Sequence, residues 1–191
     1  YHTEMGKLIF RFEGTLEHFA GDGIMVFFND PVLFADHTER AVQMALEMCS
    51  KVKELRASWL KKCYDLDLGL GLAVGYAAMG NIGFEGRMDY GAVGNVTNLA
   101  ARLCDQAKGG QILTDQNAFH KIGALVEAEP LQELHLKGFA LPVAAFNIVK
   151  LKQRAARKYT RGRPQIGFAS RASTTINAEF GEAEQNQSNG G

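Results

Sequence analysis

Residues 66–83, LDLGLGLAVGYAAMGNIG, constrain the fold more than any other stretch of this 191-residue chain. Leu66, Leu68, Leu70, Leu72 and Val74 alternate with Asp67, Gly69, Gly71, Ala73 and Gly75. A period of two is that of a β-strand, whose successive side chains point to opposite faces. One face is therefore large and apolar, and the other is nearly bare. Glycine weakens a strand interior, so its repetition needs something lying close to that face: another backbone, a helix or a ligand. A helix packed on the glycines is the simplest of these.

The rest of the chain organises around that strand. Met5, Leu8, Ile9 and Phe12 have helical spacing, and Glu13-Gly14 would stop the helix. TLEHFA and GIMVFFN flank Gly21-Asp22-Gly23 as a hairpin, with Asp22-Gly23 as the tight turn. Asp36 and Glu39 form a capping-box pattern ahead of an apolar stripe from Ala41 to Trp59, predicting a helix to about residue 62. EGRMDYGAVGN reads as a turn and short strand, with Glu85, Arg87 and Asp89 in its loop. NVTNLAARLCDQA reads as a helix ended by Gly109-Gly110. QILTD is a strand, QNAFHKIG a short helix or turn, and LQELHLKG with PVAAFNIVKL a closing antiparallel pair. The sum is an α+β chain: a mostly antiparallel sheet with helices on one face. Residues 153–191 are rich in Ser, Asn, Gln and Gly, and are expected to be a disordered tail.

Charge and cysteine content narrow the chemistry. Lys and Arg balance Asp and Glu at 21 each, but the basic excess lies after residue 151 and the body is acidic. No basic stripe in the body suggests nucleic acid. Cys49, Cys63 and Cys104 are odd in number and lack metal-site spacing, which fits a reduced cytoplasmic setting. No apolar run has the roughly 18 residues of a membrane span. There is no P-loop, no Rossmann fingerprint and no internal repeat.

GTLEHFAGDGIMVFFNDP, LGLAVGYAAMGNIG and DYGAVGNVTNLAARLCDQAKGGQILTD follow one another in an order and spacing that resemble the class III nucleotidyl cyclase catalytic domain, over roughly residues 1–150. The resemblance implies a ferredoxin-like sandwich and a head-to-tail homodimer with active sites at the interface. It also implies two divalent ions, Mg or Mn, held by two aspartates. One ion promotes attack of the ribose 3′-hydroxyl on the α-phosphate, and both neutralise the triphosphate.

By the same resemblance Asp22 is the second metal aspartate. Asn98 orients the ribose, and Arg102 stabilises phosphate charge in the transition state. An i, i+4 pair shares one helix face, and a guanidinium can fork onto phosphate oxygens. The base-reading positions are His18 and Gly91. Neither the Lys with Asp or Thr of adenylate-selective members nor the Glu and Cys of guanylate-selective ones is present. Lys137, in LKGFALP, is the nearest match to a lysine that contacts the triphosphate. The first metal aspartate would lie on a strand ahead of Tyr1. Residues 1–152 are thus expected to be a catalytic domain lacking its first strand and helix, inactive in isolation.

The resulting expectation is an adenylate cyclase, a phosphorus-oxygen lyase. It would convert ATP to 3′,5′-cyclic AMP and pyrophosphate in intracellular signal transduction, since bacterial members of this look are mostly adenylate-type. The parent protein could be membrane-anchored. The alternatives are a guanylate cyclase using GTP, or a non-catalytic regulatory and dimerisation domain.

Overall fold

The computed structural model describes residues 1–152 together with the backbone of residues 171–182. In chain order the elements are α1 (His2–Arg11), β1 (Thr15–Ala20), β2 (Gly23–Phe28), α2 (His37–Leu60), β3 (Leu66–Phe84), β4 (Arg87–Val93), α3 (Asn95–Gln106), β5 (Ile112–Asp115), α4 (Gln116–Ile122), β6 (Val126–Pro130), β7 (Ala145–Leu151) and β8 (Arg171–Glu182). The strands run β1-β2-β8-β3-β5-β7-β6 across the sheet, with β4 paired to β3 off this path. The β3–β5 ladder is parallel and the other described ladders are antiparallel. This is the expected α+β sandwich with a mostly antiparallel sheet.

The alternation in β3 divides the core in two. Leu68, Leu70, Leu72 and Val74 join α1, α2 and α4 in one buried cluster, which includes Met5, Met44 and Met48. Ala73 and Ala77 join Val96, Ala100 and Leu103 of α3 in a second cluster. The helices therefore cover both faces, where the sequence reading placed them on one. The glycine row explains the difference. A Cβ on Gly71 would lie 2.1 Å from the Ala100 carbonyl oxygen and 2.4 Å from the Cys104 nitrogen. Only a bare strand lets α3 settle that close, and each leucine buried on the opposite face adds roughly 1.5–3 kcal/mol.

Local chemistry sets the element ends. Glu13 takes a left-handed φ of 58° after α1, and Gly14 follows as the chain turns into β1. The two-residue turn of the β1–β2 hairpin is Gly21-Asp22, since Ala20 pairs with Gly23. Gly21 alone has positive φ, at 65°, which is the type II′ arrangement with glycine first. The sequence reading had shifted this turn by one residue. The expected capping box at Asp36 does not form, because the Asp36 carboxylate accepts instead from Arg40 Nε at 2.9 Å. Asp115 caps α4, accepting from the Asn117 and Ala118 nitrogens, and its burial raises its pKa.

Three further expectations are corrected. Arg87 and Asp89 lie on β4, since the turn is confined to Glu85-Gly86 and Gly86 has a φ of 91°. The strand paired with β7 is Val126–Pro130, while LQELHLKG contributes a single bridge from Leu134 to Val143. Val126 is buried and Gly138 turns the intervening chain, so the earlier segment takes the ladder. Finally, residues 171–182 form a strand within the stretch expected to be a disordered tail. Residues 153–170 and 183–191 of that stretch lie outside the described residues.

Candidate active site

β2 and β3 are not neighbours; β8 lies between them. Asn177 pairs with both Met25 and Gly71, and Ala178 with both Ile24 and Leu70. Two strand spacings, roughly 10 Å, therefore separate the start of β2 from the part of β3 under α3. The Ala100–Cys104 turn of α3 sits directly on Gly71, and Ala107 sits on Gly69. The Asp22 turn and the C-terminal half of α3 thus share one end of the sheet.

Asp22 is exposed at the tip of its hairpin. Its negative charge also reaches the Tyr1 hydroxyl, whose pKa is driven up first by burial and then by Asp22. On α3, Asn98 is exposed and Arg102 half-exposed, while Val96, Ala100 and Leu103 turn to the core. Arg102 Nη1 donates to Asp105 Oδ2 at 2.8 Å. That pair is solvent-accessible and contributes at most about 1 kcal/mol, so the guanidinium can exchange Asp105 for another anion at small cost. Among the described residues no hydrogen bond or ion pair joins Asp22 to Asn98 or Arg102.

The other expected site residues are more dispersed. His18 is exposed on β1, with Nδ1 3.7 Å from Glu17 Oε2. Gly91 is buried on β4. Lys137 is exposed in the Lys137-Gly138 turn next to Leu136, which packs in the α3-side core. Glu17, which sequence reasoning passed over, approaches Gly91. Its Oε1 accepts from the Ala92 nitrogen at 2.9 Å, and a Cβ on Gly91 would come within 2.8 Å of it. A bulge between Leu16 and His18 re-aims the side chain. Strict alternation hides such a shift; the nearest sequence signal is a carboxylate beside the expected base-reading residue. Tyr90, one residue before Gly91, donates to Asp30, and its hydroxyl pKa rises to about 12 through that bond.

As a cation site the residues fit in part. Asp22 is an exposed hard-oxygen ligand of the kind Mg prefers. Among the described residues no three His, Cys, Asp or Glu side chains cluster to hold a metal ion. Asp22 would therefore hold a divalent cation only together with oxygens from elsewhere, such as those of a bound phosphate. No helix among the described residues is long and apolar enough to cross a membrane.

Comparison with known proteins places this architecture. The family model for the adenylate and guanylate cyclase catalytic domain matches residues 2–150. The fold is similar to the adenylyl cyclase CyaB from P. aeruginosa, with 31% identity, 81% of each chain covered and a TM-score of 0.76. It is also similar to the guanylyl cyclase Cya2, with 30% identity, 80% and 78% covered and a TM-score of 0.72. Adenylate cyclase 1 of Rhizobium meliloti (strain 1021) is 26% identical over 155 residues, 78% of this chain but 23% of that protein. The chain thus spans less than a quarter of that curated relative. With the family match covering most of the sequence, the chain belongs to the adenylate and guanylate cyclase catalytic domain family.

Proposed function

We propose that this domain is the catalytic part of an adenylate cyclase, converting ATP to 3′,5′-cyclic AMP and pyrophosphate in intracellular signal transduction. The observation that carries the reading is on α3. Asn98 and Arg102 stand one turn apart and accessible, on a helix clamped to the glycine row, with Arg102 in the half of α3 that shares an end of the sheet with Asp22. The adenylyl cyclase CyaB and Adenylate cyclase 1 are among the similar proteins, as is the guanylyl cyclase Cya2, so the choice of ATP is decided by the turnover experiment below.

The side chains divide the work. The Asn98 amide orients the ribose, so that its 3′-oxygen faces the α-phosphorus. Arg102 leaves Asp105 and donates to the phosphate oxygens as charge builds on them. The 3′-oxygen bonds to the α-phosphorus, its proton passes to solvent, and the bond to the leaving pyrophosphate breaks. A bound Mg or Mn, held by Asp22 and the nucleotide's own oxygens, would neutralise triphosphate charge. His18 and Gly91 border the base, and Lys137 would reach the triphosphate. A head-to-tail homodimer brings Asp22 of one copy to Asn98 and Arg102 of the other, consistent with the lack of a contact between them within one chain.

Two observations favour second readings. The Glu17 carboxylate beside Gly91 could accept from both the ring N–H and the amino group of guanine, which favours a guanylate cyclase. The bare Gly91 at a base-reading position favours a non-catalytic dimerisation domain. Turnover of ATP and of GTP by the full-length protein with Mn separates all three. The adenylate reading expects cyclic AMP as the main product, and Asp22→Ala to abolish it while leaving dimerisation intact. Unchanged activity in Asp22→Ala would remove Asp22 from the site.

A further inference from the structure

Glu17 is mostly buried, and no lysine or arginine among the described residues pairs with it. Leu16 pairs with Val26 and His18 with Met25, so Glu17 is the extra residue of the bulge and has no partner on β2. Such a bulge turns a side chain off its expected face, here toward β4. The Glu17 side chain is 16% exposed. Its Oε1 accepts from the Ala92 nitrogen at 2.9 Å. Oε2 accepts no hydrogen bond among the described residues, and His18 Nδ1 stands off at 3.7 Å. A nearly buried acceptor without a donor costs free energy that a ligand donor would restore.

The surface beside this oxygen suits a flat ring. Gly91 of β4 pairs directly with Gly80 of β3. Directly paired residues of antiparallel strands face the same side, so the two glycines form a strip without side chains. A Cβ on Gly80 would meet nothing within 4 Å, which leaves that half of the strip open. A Cβ on Gly91 would meet Glu17 Oε1 at 2.8 Å and Ile82 Cδ1 at 3.4 Å. Glu17 therefore stands where a side chain at position 91 would stand, and Ile82 supplies an apolar wall. A planar ring lying on the glycines can turn its edge to Oε2.

We propose that Glu17 is the specificity-determining residue for the base, in place of the bare Gly91 and the exposed His18, and that its Oε2 accepts from the 6-amino group of adenine. This deepens the adenylate reading and rests on it. The guanine edge offers two adjacent donors, a ring N–H and an amino group, and would have to share Oε1 with the Ala92 N–H. The 6-amino group of adenine needs Oε2 alone. A purine with oxygen at position 6 turns an acceptor toward the carboxylate, and neither group is then satisfied.

Binding is measured on the full-length protein with Mn and 3′-deoxynucleoside triphosphates, which lack the attacking hydroxyl and are not turned over. 3′-Deoxy-ATP should bind about tenfold or more tightly than 3′-deoxy-ITP, whose base carries oxygen at position 6. In Glu17→Gln the Ala92 N–H fixes the amide oxygen inward, so an N–H faces the base in place of Oε2. The preference should fall about tenfold or more and move toward 3′-deoxy-ITP. Glu17→Asp draws the carboxylate back by one methylene and should lose the preference without reversing it. A residue that only supported the fold would weaken both nucleotides alike, so an unchanged ratio in Glu17→Gln overturns the assignment. Cyclic AMP production by that variant would leave the adenylate reading standing. Tighter binding of 3′-deoxy-GTP than of 3′-deoxy-ATP by the parent protein also overturns it, in favour of the guanine edge. Binding of none of the three removes the nucleotide reading and the assignment together.

Discussion

A single methyl group added at Gly71 tests whether α3 rests on backbone contact. The Cβ of Gly71→Ala would stand 2.1 Å from a carbonyl oxygen and 2.4 Å from an amide nitrogen, both belonging to the helix itself. Ordinary contact begins at roughly 3.5 Å, so α3 must lift by more than about 1 Å. No rotamer change relieves that clash. Overpacking usually costs 1–3 kcal/mol, and immovable backbone puts Gly71→Ala at or above the upper end, about 3–4 kcal/mol. For a chain of this size that lowers Tm by roughly 10 °C. Two neighbours calibrate the result. Gly69→Ala meets the Ala107 oxygen at 2.8 Å, near the end of α3, and should cost about 1–2 kcal/mol. Gly75→Ala meets only the Val96 side chain, at 3.1 Å, and should stay within about 1 kcal/mol of the parent, helped by reduced freedom of the unfolded chain. Urea unfolding with a common m-value reads all three. If Gly71→Ala and Gly75→Ala cost the same, the argument from close approach is wrong.

Two more perturbations probe the other face of the sheet. His37 is buried at the start of α2, and desolvation, followed by Lys121, lowers its pKa to about 4, with Asp36 opposing weakly. The unfolded chain then binds the extra proton. The stability from a neutral His37 is complete above about pH 6.5 and is lost as pH falls through about 4. The loss is at most about 3 kcal/mol, nearer 2 after solvent screening, and His37→Gln should flatten the urea midpoint over that range; an unchanged slope would assign it elsewhere. Arg40 is largely buried, lies 4.0 Å over the Phe34 ring, and pairs with Glu13 at 2.8 Å and Asp36 at 2.9 Å. Arg40→Ala should cost about 2–4 kcal/mol in thermal unfolding, and Arg40→Lys should recover less than half, because an ammonium neither forks nor stacks; full recovery by lysine would reduce the site to simple charge.

Where periodicity and packing agree, the fold is legible in the residues. Met5, Leu8, Ile9 and Phe12 mark α1, the stripe from Ala41 marks α2, and the leucines of β3 mark the inner strand. Its glycines announce a close neighbour, though not that the neighbour is α3. β8 is illegible for a physical reason. Its backbone pairs with β2 and β3 while its composition is mostly polar, so composition reads it as unstructured. Asp22, Asn98 and Arg102 stand out through motif and spacing. Glu17 does not, because a bulge sends a residue away from the face that simple alternation assigns.

The place of β8 also bears on how the protein is made. β2 leaves the ribosome about 150 residues ahead of β8, its partner strand, roughly 8–30 s at ordinary elongation rates. Once β3 has followed, two strand edges stand open on the nascent chain, one of them leucine-rich. Pairings so distant in sequence are slow to form, and open edges invite association with other chains. The yield of native protein should therefore depend on translation speed and on chaperones that shield strand edges.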